Sequence, residues 1–153
     1  MITKSDLVEG IRFAGQRAAA AATYCHDWNH QLGHMWTTGD AFRHVAATAP
    51  GAPGMYPALD GTSLSGLGAE RIAAGNARSI ASFADKSKED VIAAIIAGHN
   101  ASADFVATVD DADLAKVVIL GGYQMPKAEI VAQIWIHHAI AHSYEASARW
   151  PIQ

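Results

Sequence analysis

The sequence predicts an all-α fold of four main helices with one extra short helix, in a single domain spanning 1-153. Three observations predict it. Apolar residues recur at the 3.6-residue helical spacing over most of the chain, whereas the alternation expected of strands is nearly absent. Helix start signals stand where that periodicity begins, at Thr37, Ser87 and Pro126. Pro and Gly cluster between the periodic segments, and there is no internal repeat and no low-complexity tail.

Residues 4–32 read as one long helix, with Leu7, Ile11, Ala14, Ala18, Ala21, Cys25, Trp28 and Leu32 on a single stripe. Its alanine content favours helix and permits close helix–helix approach. LGHMW then turns the chain. Thr37 caps the next helix, 38–48, with Asp40 favourably placed in its first turn and Pro50 near its end. Residues 49–66, APGAPGMYPALDGTSLSG, form the longest irregular segment; a loop of this length in a compact domain often borders a functional site, and that is the expectation here. A shorter helix follows near 68–84. Ser87 caps the helix over 87–109, with Glu89 and Asp90 in its first turn. DDADLAKVVILGGYQM is a connector in which VVIL reads as a brief extended piece. Pro126 suits the first turn of the last helix, 126–148.

Half of the 153 residues are hydrophobic and 17% are charged, so disorder is excluded and a sizeable core is affordable. No unbroken apolar run reaches the ~18–20 residues of a membrane span, and MITKSDLVEG lacks the pattern of a signal peptide. The single cysteine, Cys25, cannot form an internal disulfide, which fits a cytoplasmic protein; on the first helix's stripe it reads as a small core residue. The net charge of −4, without a basic block, argues against nucleic acid as a partner.

Eight histidines are many for this length, and they fall into groups. His26, His30 and His34 lie roughly 105–185° from the centre of the first helix's stripe and read as a solvated face. His99 and His137 read as flank or packing residues. In WIHHAIAHSYEASARW, residues 135–150, His138 and His142 are one turn apart; Val131, Ile134, Trp135 and Glu145 fall within roughly 60° of His138, while His137 is about 100° away. Two imidazoles thus stand in an apolar stripe. They are either buried neutral side chains, each hydrogen-bonded to a carbonyl or to Glu145, or a two-point metal chelate, since neutral imidazole is the commonest protein metal ligand. For a chelate, the natural third ligand from another helix is His44, which shares a face with Ala41, Val45 and Thr48.

Two stretches carry a family resemblance. WTTGDAFRHVAATAPG resembles the second-helix motif of the DinB-like metal-binding bundles, a Trp, turn and cap ahead of a helix with one histidine; HHAIAHSYE resembles their last-helix motif, His-x-x-x-His followed by a short polar sequence. The resemblance covers the whole chain in helix order and length, and it implies a four-helix DinB-like bundle. It implies that His44, His138 and His142 hold one divalent metal, zinc, nickel or iron, with open positions for water. It also implies a homodimer, an expectation to which the alanine-rich first helix adds. Where the family has Arg-Gly-Gln after its last histidine, this chain has Ser143-Tyr144-Glu145, which leaves the ligands in place. Glu145, about one turn past His142, could orient that ligand or act as a catalytic base. Some members resemble S-transferases that use bacillithiol, mycothiol or glutathione, one branch isomerises maleylpyruvate with mycothiol, and others are described only as metal-dependent hydrolases.

Competing motifs fail. There is no His-Glu-x-x-His or Glu-x-x-His; GTSLSG lacks the Gly-x-Ser-x-Gly spacing, and GLGAER breaks the dinucleotide pattern at Arg71. Two functions follow. One is an enzyme whose three-His metal activates water or a low-molecular-weight thiol for hydrolysis or S-transfer on a small molecule. The other is a non-catalytic bundle in which the metal is structural or sensing, or absent. Structural zinc usually takes four protein ligands, and three good ones tilt the reading toward an open, reactive site.

Overall fold

The first helix, α1 (Lys4–Tyr24), begins at a reciprocal cap in which the Thr3 side chain accepts from the Asp6 amide and Asp6 Oδ2 accepts from the Thr3 amide at 2.9 Å. In the computed structural model, which describes residues 2–33, 35–59, 68–120 and 122–147, this helix stops well short of residue 32. Side chains take over its terminal carbonyls: Lys88 Nζ donates to Cys25 O at 2.8 Å and to Thr23 O at 3.1 Å, and Trp28 Nε1 donates to Ala22 O at 3.3 Å. Cys25, with an extended backbone, and Trp28 still reach the core from an irregular segment, and Leu32 does so from a strand. A small hairpin follows, β1 (Gln31–Leu32) against β2 (Trp36–Thr37), turning through Gly33 at φ 61°. The sequence reading has only a turn there.

Thr37 caps α2 (Thr38–Thr48) as expected, in a reciprocal pair with Asp40. The segment expected to be irregular instead coils into successive short turns: a 3₁₀ turn at Ala49–Gly51, α3 (Ala52–Met55) and a second 3₁₀ turn at Tyr56–Leu59. These pack toward the following long helix, where Ser102 Oγ accepts from the Ala52 amide at 3.2 Å. The rest of the segment, 60–66, lies outside the described residues. Next come α4 (Ala69–Ala81), which packs on α2 without a single buried residue, and α5 (Lys88–Thr108), capped by Ser87 with Asp90. By length and mean hydropathy, 1.3, α5 is apolar enough to cross a membrane, which a count of unbroken apolar runs does not register. In the fold it is the central helix, packed on both α1 and α2.

After α6 (Asp111–Leu114), VVIL is extended as read, but it also has a partner: β3 (Val117–Leu120) pairs antiparallel with β4 (Tyr123–Pro126). Pro126 then stands at the N-cap of α7 (Lys127–Ala132) rather than inside the first turn. A π-helical turn, Gln133–His137, joins α7 to α8 (His138–Ser147). Among the described residues the fold is all-α apart from the two hairpins. Its core has two parts: one lies around Ala14–Ala22 of α1, Ala41–Ala46 of α2 and Ala139 and Ala146 of α8, and the other around Leu7, Ile11, Tyr56, Ile130 and Trp135.

Candidate metal centre

The π turn decides where the last helix points its histidines. The His138 amide donates to Gln133 O, five residues back instead of four. This inserts one residue into the helical phase. An unbroken α-helix would continue the row from Val131 and Trp135 through His138, His142 and Glu145. The observed buried row runs Val131, Trp135, Ala139, Ser143 and Ala146 instead. His138 and His142 are therefore moved from the middle of the apolar stripe to its rim, half-buried and facing α2, and Glu145 becomes exposed.

There they meet His44, which is buried on α2. His44 Nε2 and His138 Nε2 are 3.0 Å apart, and the ligating nitrogens of His44, His138 and His142 all lie within 4.8 Å of one another. The three rings stand edge to face at 79°, 83° and 87°, with centroids 4.9, 5.2 and 4.6 Å apart. Glu145 Oε2 accepts from His142 Nδ1 at 3.2 Å, which leaves the Nε2 lone pair of that ring for the centre. Of the two roles read for Glu145, this contact is the orienting one. Among the described residues His44 Nδ1 is buried without a hydrogen-bond partner, so its ring lacks there the bond that usually fixes a ligating imidazole.

Burial first, and then the neighbouring imidazoles, hold His44 and His138 down to a pKa of about 4. Both are neutral at physiological pH, the form a metal ion needs. A divalent ion about 2.0–2.1 Å from each nitrogen keeps adjacent ligand atoms about 2.9 Å apart in an octahedral site and about 3.3 Å apart in a tetrahedral one. The 3.0 Å His44–His138 separation falls between these values. The donor set fits a borderline divalent ion.

One residue at the centre escaped the sequence reading in this role. Trp36 packs against His44 at 4.9 Å and against His142 at 5.3 Å between ring centroids. Its signals in the sequence are its place immediately before the cap residue Thr37 and at the head of the WTTGDAFRHVAATAPG motif, neither of which points to packing on the ligands.

His26, His30 and His137 are exposed, and His34 lies outside the described residues. The expected reason for the first two is wrong, however, because α1 has already ended before them. His99 is buried on α5, its Nδ1 donating to Ile95 O at 2.8 Å; its ring fills the space over Gly15. Cys25 is a buried core thiol, its pKa raised by burial. Comparison of the chain with protein-family models, curated proteins and solved structures gives no match.

Proposed function

We propose that the protein is a metal-dependent enzyme of the DinB-like kind, acting on a small electrophilic substrate by hydrolysis or by transfer of a low-molecular-weight thiol. The observation that carries this reading is the convergence of three imidazoles from two helices, two of them held neutral, at the rim of the core. His44, His138 and His142 would hold the ion. Three protein ligands leave positions open, as in catalytic rather than structural sites. A bound divalent ion supplies Lewis-acid activation of water or of a thiol.

The chain's own residues supply the rest. Ala139, Ser143 and Ala146 anchor α8 in the core, so that the two rim histidines are presented from a rigid element. Glu145 keeps the His142 tautomer with Nε2 inward. Trp36 walls one side and keeps water from that face of the rings. The order of helices carrying the ligands, second and last, supports the DinB-like assignment.

A second reading has one observation in its favour. At 3.0 Å, the His44 and His138 Nε2 atoms can share a hydrogen bond with no ion present, as in a non-catalytic or degenerate bundle. A screen separates the two: protein stripped with chelator and reloaded with zinc, nickel or iron, offered electrophiles with and without bacillithiol, mycothiol or glutathione. The enzyme reading expects metal-dependent turnover that is lost in His138→Ala. Stoichiometric metal uptake without turnover favours the second.

A further inference from the structure

We propose that Trp36 is a positioning residue for the metal centre, orienting His44 by ring packing in place of the hydrogen bond that His44 lacks; the inference rests on the metal-site reading above. A ligating histidine is normally held by a hydrogen bond from its second ring nitrogen. His142 has that bond, to Glu145. His44 does not: its Nδ1 is buried and has no hydrogen-bond partner among the described residues. The terminal torsion of an imidazole is broad and roughly two-fold, so without such a bond the ring needs another restraint.

The indole supplies it. Trp36 lies tilted by 51° against His44 and by 33° against His142, so one flat ring touches ligands from both helices. Trp36 itself has a rigid mount. It pairs with Leu32 in the β1–β2 hairpin, and Gln31 Nε2 donates to its carbonyl at 3.0 Å. The next residue, Thr37, is locked in the helix cap by Asp40. Hairpin and cap together fix the indole relative to α2, and the indole fixes the rings.

The test uses chelator-stripped full-length protein titrated with Zn²⁺ calorimetrically and with Co²⁺ by visible absorption, whose bands report ligand geometry. Trp36→Leu, which keeps an apolar contact but removes the flat face along with much of the bulk, should weaken Zn²⁺ binding about tenfold or more and change the Co²⁺ spectrum. Trp36→Phe, nearer in volume to leucine than to the indole but still a flat ring, should restore affinity to within about threefold and return the Co²⁺ spectrum to the wild-type form, a fuller rescue than the small gain in bulk over leucine would give. If Trp36→Leu lacks a cooperative melt, Gln31→Ala carries the test, because it releases only the clamp on the Trp36 carbonyl; several-fold weaker binding is then expected. Wild-type binding with Trp36→Leu or, in its place, Gln31→Ala indistinguishable from it would overturn this inference alone, as would a Trp36→Phe as weak as the leucine variant. Wild-type protein that takes up neither ion would overturn the metal-site reading and this inference with it.

Discussion

Lowering the pH below 6.5 should destabilise the metal-free protein through two imidazoles that burial holds neutral. His44 and His138 have pKa values of about 4 in the fold against 6.5 in the unfolded chain. Their stabilising contribution is therefore fully present above pH 6.5 and is lost as pH falls toward 4, because the unfolded chain takes up protons that the fold refuses. For each imidazole the slope is at most about 1.4 kcal/mol per pH unit, and the total at most about 3 kcal/mol. His138 is half-buried and solvent screens it in part, so about 3 kcal/mol for the pair between pH 6.5 and 4.5 is the expected loss. With a urea m-value of roughly 2 kcal/mol/M, the midpoint should move down by about 1.5 M. Asp113, held at about 2 chiefly by Lys116 and Tyr56, loses its contribution only as pH falls from 3.8 toward 2, outside this window. His99, also lowered by burial, is present in both proteins when wild type is compared with a His44→Asn/His138→Asn variant, so only its coupling to His138 enters the difference. The readout is the difference in slope, whatever the variant's absolute stability. Equal pH slopes in the two proteins would refute the claim that these imidazoles are held neutral by the fold.

Three further outcomes follow from the same geometry. Glu145→Gln should lower metal affinity about tenfold, the weak end of the usual range for a ligand's supporting partner, because the carboxylate side chain is 52% exposed; calorimetry at constant pH reads it, and an unchanged affinity would remove Glu145 from the centre. Deleting Gln133 removes the one inserted residue, so the π turn should become α-helix while Ala139, Ser143 and Ala146 stay in the core row and His138 and His142 keep facing α2, and helicity by circular dichroism and metal binding should both persist; lost binding would mean that the turn is not a simple one-residue offset of the helical phase. His26→Gln/His30→Gln should leave metal content unchanged and shift stability by under about 0.5 kcal/mol, read by melting and metal analysis; loss of the ion would mean that the wrong histidines have been chosen.

Much of this was legible in the sequence where side chains talk to nearby backbone. Thr37 with Asp40 and Ser87 with Asp90 announce their helix starts, because a cap is a local hydrogen-bonding device. The His138–His142 pair also survives, since both residues lie beyond the π turn and keep their one-turn spacing. What periodicity could not see was the turn itself, one extra residue in an apolar helix without Gly or Pro to mark it. Hence the histidines were read into the core and stand at its rim. The overrun of the first helix has a different cause. Cys25, Trp28 and Leu32 are apolar at helical spacing, yet Lys88, distant in sequence, satisfies the carbonyls that end the helix at Tyr24. The β3–β4 hairpin was half legible: VVIL is β-branched enough to read as extended, but its partner YQMP carries no strand pattern.

The central claim, one divalent ion held by His44, His138 and His142, is tested most directly by metal stoichiometry in untagged, chelator-stripped protein. Calorimetric titration with Zn²⁺ or Ni²⁺ should give one ion per chain in wild type and in His137→Ala, whose side chain is exposed one residue away, and none in His44→Ala, His138→Ala or His142→Ala. Affinity should fall with pH through the histidine range, as neutral ligands require. Equal loss in His137→Ala and His138→Ala, or a wild-type protein that binds no ion, would contradict the account.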